Sequence, residues 1–281
     1  MKPAELPAAT ASPAVPPVLP GTPLIDSHCH LDTRVWEDDA GVDAVVARAH
    51  AAGVSHMIAI GSGYGFTSGH RAHAVATRHA AVHAAVGLHP HDAREFTDER
   101  MADLLALGTP QTPILALGEM GLDYHYDYAP RDEQRAAFRA QLALARELGL
   151  PVIIHDRESG GETLDVLDDM RAWDTGVLFH CYTGDVAYME AITARGGFIS
   201  IPGIVTFKNG DTMREVAAKA PLDRILIETD SPFLTPIPFR GRKNEPAFVG
   251  YVAAKVAEVR GTSPEAIATV AAENTRRYFR F

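Results

Sequence analysis

Residues 24–32 read LIDSHCHLD, an apolar start followed by two histidines around one cysteine. Side chains alternate along a strand, so His28 and His30 face one side while Cys29 faces the other and serves packing. A histidine pair is a poor way to finish a hydrophobic core and a good way to begin a metal site. The pattern of an apolar run ending in polar chemistry recurs down the chain, and that recurrence carries the fold.

Further candidate strands are 54–60, 82–88, 113–119, 151–156, 176–181, 197–201 and 224–230, which with 23–30 make eight. Runs this apolar suit strands covered on both faces, as in a parallel sheet. Amphipathic stretches fill the gaps. Val42, Val45, Val46 and Ala49 mark one apolar stripe, closed by Gly53; Phe138, Leu142 and Ala145 mark another, closed by Gly149. Ser263 reads as an N-cap with Pro264 in the first helical position. Eight strands, each followed by a helix, predict a single (β/α)8 barrel over residues 23–281. A doubly wound sheet competes, but there is no Gly-rich dinucleotide turn to support it.

The composition agrees. The 281 residues are 46% hydrophobic and 22% charged, enough for one large core. A net charge of -10 disfavours holding duplex nucleic acid by bulk charge, though bound cations would reverse the sign locally. Two cysteines do not make a disulfide framework, which points to a reduced, cytoplasmic protein. Residues 1–22 are Ala/Pro-rich without a continuous apolar core, and read as a disordered extension rather than a signal peptide. No stretch is long and apolar enough to span a bilayer.

The polar clusters fall at the carboxyl ends of the candidate strands, which meet on one rim of a closed barrel. His28 and His30 end the first strand, Glu119 the fourth and His180 the sixth. His155 stands near the end of the fifth and Asp230 ends the eighth. Four histidines and two carboxylates exceed what one cation takes, so they predict two divalent ions, with Glu119 placed to bridge them. Two neighbouring cations suit hydrolysis, because they activate water and stabilise oxygen charge at both ends of a displacement. His89 follows the third strand. Beyond Asp230, RGRKNEP (240–246) gathers Arg240, Arg242 and Lys243, the densest cationic run in an acidic chain, and predicts phosphate contact. His50, His56, His70, His73, His79 and His83 read as surface or core residues without partners, His91 as a loop histidine, and Cys181 as buried and inert.

Eight ordered stretches resemble the TatD family of metal-dependent deoxyribonucleases, among the amidohydrolase-type barrels. They are LIDSHCHLD, AVGLHPHDA, LGEMGLDYHYD, VIIHDRESGGETLDVL, LFHCYTG, ILIETDSPFLTP, RGRKNEP and NTRRYF. With their spacing they cover essentially all of residues 24–281. The resemblance implies that His28, His30, Glu119 and Asp230 hold one metal and Glu119, His155 and His180 the other. It also implies that Asp230 manages the proton of the attacking water and that His89 approaches substrate phosphate. Asp123 and Arg157 stand in matching motifs as substrate-contact candidates. The implied activity is magnesium- or manganese-dependent hydrolysis of DNA or RNA from the 3′ ends of single strands, with a role in DNA repair. Met120 stands where Ile or Cys is commoner, and HCYTG (180–184) where HCFSG is frequent; neither difference touches a ligand. Four imidazoles favour zinc, manganese or cobalt over magnesium, so a transition metal is expected in the purified protein. The rival expectation is hydrolysis of an ester or amide, such as an aminoacyl bond, by the same activated water.

Overall fold

In the computed structural model the described residues are 21–281, so the extension expected over 1–22 lies, apart from Gly21 and Thr22, outside them. Eight strands follow in chain order: β1 (Leu24–Cys29), β2 (Val54–Gly61), β3 (Val82–Val86), β4 (Ile114–Asp123), β5 (Val152–Arg157), β6 (Val177–Phe179), β7 (Phe198–Ile201) and β8 (Ile225–Ile227). Each pairs in parallel with the next, giving the order β1-β2-β3-β4-β5-β6-β7-β8. The chain just beyond β8 then returns to β1: Asp230 N donates to His28 O (3.0 Å) and His30 N to Ser231 O (2.8 Å). That contact closes the (β/α)8 barrel.

The helices are α1 (Thr33–Trp36), α2 (Asp39–Ala51), α3 (Ser68–Arg78), α4 (Asp98–Ala106), α5 (Arg131–Leu148), α6 (Glu162–Asp169), α7 (Val186–Ala194), α8 (Asp211–Lys219), α9 (Val249–Arg260) and α10 (Pro264–Phe279). The expected stripes are their buried faces: Val42, Val45, Val46 and Ala49 on α2, and Phe138, Leu142 and Ala145 on α5. Gly149 ends α5 in the left-handed conformation (φ 66°), and the Ser263 side chain accepts from Ala266 N at the start of α10. Among the described residues no helix is long and apolar enough to cross a membrane.

Strand alternation separates two apolar layers. Met57, Ala59, Val152, Ile154, Val177, Phe179, Ile225 and Ile227 pack outward with the helix faces. Ile58, Ile60, Ala85, Ile153, Leu178 and Leu226 pack together inside, with Tyr278 and Phe279 of α10. The inner layer fixes what stands above it. Two residues beyond Ile153 is His155, two beyond Leu178 is His180, and Glu228, just past β8, is two beyond Leu226.

β4 departs from this register. The sequence places Glu119 at the strand's end, but β4 continues to Asp123 with Glu119 in its middle. Gly118 pairs with Ile153 and Met120 with Ile154, so Glu119 is an extra residue, the insertion of a β-bulge. Glycine makes the approach of β5 possible. A Cβ on Gly118 (φ 140°) would lie 2.5 Å from Ile153 O, and one on Gly121 (φ 142°) 2.0 Å from His155 O.

Candidate active site

The bulge places the Glu119 carboxylate among the imidazoles of four other strands' ends. Its two oxygens face different groups. Oε2 lies 3.6 Å from His28 Nε2 and 3.9 Å from His30 Nε2, while Asp230 Oδ1 is 3.8 and 3.6 Å from the same two nitrogens. Oε1 lies 2.7 Å from His180 Nε2, 3.0 Å from His155 Nδ1 and 3.3 Å from His89 Nε2. Ser62 Oγ donates to Oε2 at 3.1 Å.

The donor set fits divalent metal. His28 is wholly buried, and among the described residues neither of its ring nitrogens has a hydrogen-bond partner; His30 Nδ1 and His180 Nδ1 are likewise unpartnered there. A buried polar atom without a partner costs about 1–3 kcal/mol, so several in one place call for a ligand. Ligand atoms of His28, His30 and Glu119 fall within 4.8 Å of one another, as do those of His28, His180 and Asp230, and of His89, Glu119 and His155. Nitrogen and carboxylate oxygen in this proportion suit zinc, manganese or cobalt.

Hydrogen bonds sort the histidines by which nitrogen holds the proton. His155 Nε2 donates to Asp123 Oδ2 at 3.1 Å and Nδ1 to Glu119 Oε1 at 3.0 Å; with the Nε2 proton held by Asp123, Nδ1 is the nitrogen a metal would take. His180 Nε2 lies 2.7 Å from Glu119 Oε1, while its Nδ1 is 3.7 Å from Glu228 Oε1, beyond hydrogen-bond reach. His89 is the reverse. Its Nδ1 accepts from His91 N (3.0 Å), so the neutral ring carries its proton on Nε2, the nitrogen turned into the site. Burial holds that imidazole down to about 3, despite the nearby Glu119 carboxylate. His89 is therefore built to donate a hydrogen bond rather than to offer a lone pair.

Burial also pushes His28 well below the usual imidazole range, helped by His180 stacked on it at 3.9 Å. For Glu119 burial acts upward, but the surrounding imidazoles, His180 foremost, outweigh it and hold the carboxyl well below its usual range. For His180 burial acts downward, and the carboxylates of Glu119 and Glu228 outweigh it, raising the ring well above its ordinary value.

The remaining candidates lie around this centre. Asp123 is fully buried; besides His155 it accepts from His91 Nε2 (2.8 Å), His125 N and Tyr126 N. Arg157 lies exposed at the end of β5, its guanidinium 5.0 Å from the Tyr126 ring centroid. The cationic loop is already partly engaged. Arg240 donates to Thr235 O and covers Phe207 at 3.9 Å, and Lys243 donates to Val35 O beside the Trp36 ring. Arg242 lies 5.9 Å from the Phe239 ring. Asn244 pins the loop to the Asp230 segment by donating to Thr229 O and Phe233 O.

Several residues that the sequence left unpartnered have partners here. His70 pairs with Asp103 (2.9 Å), His79 with Asp43 (2.7 Å) and His56 with His83 (3.1 Å), while His50 and His73 bond the carbonyls of Val54 and Thr112. Those contacts join different elements, which periodicity does not reveal. Cys181 is half-buried rather than buried, and burial pushes both its thiol and that of Cys29 up. Glu228 and Asp26 escaped the sequence reading. Glu228 is buried and accepts from Cys181 N (2.6 Å), and Asp26 accepts from Thr229 N and Oγ1 and from His28 N. Each stands two residues before a candidate ligand, so strand alternation pointed to both.

The profile of the family described as "TatD related DNase" matches residues 25–280. The "Uncharacterized metal-dependent hydrolase YabD" of Bacillus subtilis is 39% identical over 257 residues, covering 92% of this chain and 99% of that protein. The "3'-5' ssDNA/RNA exonuclease TatD" of Cronobacter sakazakii is 35% identical over 261 residues, covering 91% of this chain and 97% of that protein. The crystal structure of YjjV, a TatD homologue from Escherichia coli K12, superposes with a TM-score of 0.83 at 29% identity, covering 92% of this chain and 98% of that one.

Proposed function

This chain belongs to the TatD family of metal-dependent hydrolases, and from that premise we propose that it is a two-metal phosphodiesterase that shortens single-stranded DNA or RNA from the 3′ end. The observation that carries the reading is the divided Glu119 carboxylate, with Oε2 toward His28 and His30 and Oε1 toward His155 and His180. The 3′ polarity and the substrate come from the printed name of the Cronobacter relative.

His28, His30, Glu119 and Asp230 would hold one ion, and Glu119, His155 and His180 the other. Divalent ions there would supply Lewis-acid stabilisation of phosphate oxygens and an easily ionised water. The chain's own groups do the rest. Asp230, next to His28 and His30, takes the proton of the attacking water as a bond from that oxygen to phosphorus forms. The bond from phosphorus to the departing 3′ oxygen breaks, and that oxygen takes a proton from solvent. His89 Nε2–H donates to a phosphate oxygen, a hydrogen bond that strengthens as charge grows there. Asp123 orients His155 from behind. Arg242 and Arg157 meet phosphates of the remaining strand, few enough that salt weakens binding only modestly.

Two unpaired cysteines suit a reducing compartment, and we place the protein in the cytoplasm, in nucleic-acid turnover or repair. The test is cleavage of an end-labelled single-stranded oligonucleotide by metal-stripped protein, with magnesium, manganese or zinc added back and Glu119→Ala and Asp230→Ala alongside. Stepwise shortening restored by metal and lost in both variants supports the reading. A wild type that binds two ions and cleaves an aminoacyl ester but no oligonucleotide would replace it with the rival activity.

A further inference from the structure

Large apolar side chains are left exposed on both sides of the candidate metal centre. Tyr126 (40% exposed) and Tyr128 (48%) follow β4 and stack on each other at 5.3 Å, with an interplanar angle of 22°. His91 stands edge-on to both, 4.7 Å from Tyr128 and 5.6 Å from Tyr126, and the Arg157 guanidinium lies 5.0 Å from Tyr126. His91 also bonds Asp123, the carboxylate behind His155, so this aromatic wall is tied to the Oε1 side of Glu119. On the other side Phe233 (49% exposed) lies edge-on to His30 at 6.1 Å, with Tyr64 edge-on to the same ring at 5.7 Å. Phe233 N donates to Asp230 O, which fixes that ring to the Oε2 side.

We propose that Tyr126 with Tyr128, and Phe233, are two base-stacking platforms, one on each side of the scissile phosphate. The proposal rests on the nuclease reading and specifies how the strand lies in that site. Rings left this exposed accept any base, because every base has a π-face, and the Arg157 guanidinium over Tyr126 adds a cation at the first platform. A strand with its scissile phosphate at the candidate metal centre between them would place one base on each platform. A base held there is not paired with a second strand, so the platforms select an unpaired end.

The probe is a single-stranded oligonucleotide carrying 2-aminopurine at one of its last two positions, with a phosphorothioate at the terminal linkage. Wild-type protein should quench the fluorescence at both positions. Tyr126→Ala with Tyr128→Ala should abolish quenching at one position, Phe233→Ala at the other, and each should weaken binding about tenfold or more. Tyr126→Phe with Tyr128→Phe should retain both effects. In cleavage the alanine variants should raise KM on unmodified strands by a similar factor. On strands with abasic spacers at those two positions they should match the wild type, with metal content per chain unchanged. Alanine variants that quench and cleave like the wild type overturn the platforms and leave the nuclease standing. An equal rise in KM on abasic strands overturns them too. Quenching by a wild type that leaves unmodified strands intact would keep the platforms and remove the nuclease reading.

Discussion

His155 presents Nε2 to Asp123 at 3.1 Å, and Asp123 is wholly buried. The pair spans neighbouring strands β4 and β5, and it decides which imidazole nitrogen is free to face Glu119. A carboxylate behind a ligating histidine fixes the tautomer and the ring plane.

Asp123→Asn would put an amide donor opposite an imidazole N–H. Metal affinity should fall by about 10–100-fold with the fold intact. Titration calorimetry with manganese or zinc, checked by circular dichroism, measures this. Unchanged affinity in a folded variant would remove Asp123 from the metal site.

His89 turns a proton into the site, since its Nδ1 accepts from His91 N. His89→Ala should lower kcat by about 100–1,000-fold while two metals per chain remain, because it removes a donor and no ligand. His89→Gln, whose amide can donate, should recover part of the loss. Metal analysis showing one ion lost in His89→Ala would make this residue a ligand instead.

The three cations of the 240–243 loop should separate. Arg242→Ala should raise KM for an oligonucleotide several-fold and reduce the log–log salt slope by about 0.7, the loss of one phosphate contact. Arg240→Ala should lower Tm, as it removes the bond to Thr235 O and the cation over Phe207, together about 1 kcal/mol. Equal effects of the two substitutions on KM would show a shared phosphate role.

At the opposite end of the barrel His83 lies against His56 (3.1 Å) and the Phe281 ring (4.1 Å). Burial, with His56 beside it, pushes His83 down to about 4. The unfolded chain titrates near 6.5 and therefore binds more protons between those values, so stability is full above about pH 6.5 and is lost as pH falls toward about 4. Thermal melts of the wild type should decline more steeply over that window than those of His83→Gln. Parallel declines would show that the imidazole stays unperturbed in the fold.

The barrel was legible because its determinants are local. Strand alternation made His28 and His30 partners and Cys29 a packing residue, and it set His155 above Ile153 and His180 above Leu178. Eight apolar runs separated by helical stripes left one economical way to close a parallel sheet. The sequence thus determined the architecture and the six residues that converge on its rim.

Tertiary structure decided what those residues can do. Glu119 reaches both histidine groups only as the extra residue of a bulge, whose register exists only against β5. The Nε2 proton of His155 is held by Asp123, a residue of the neighbouring strand 32 positions away. Arg240 and Lys243 are engaged by Thr235, Phe207, Val35 and Trp36, which lie outside their own motif. Alternation and helical stripes are short-range properties of the chain, whereas hydrogen-bond and ring partners are chosen across the fold.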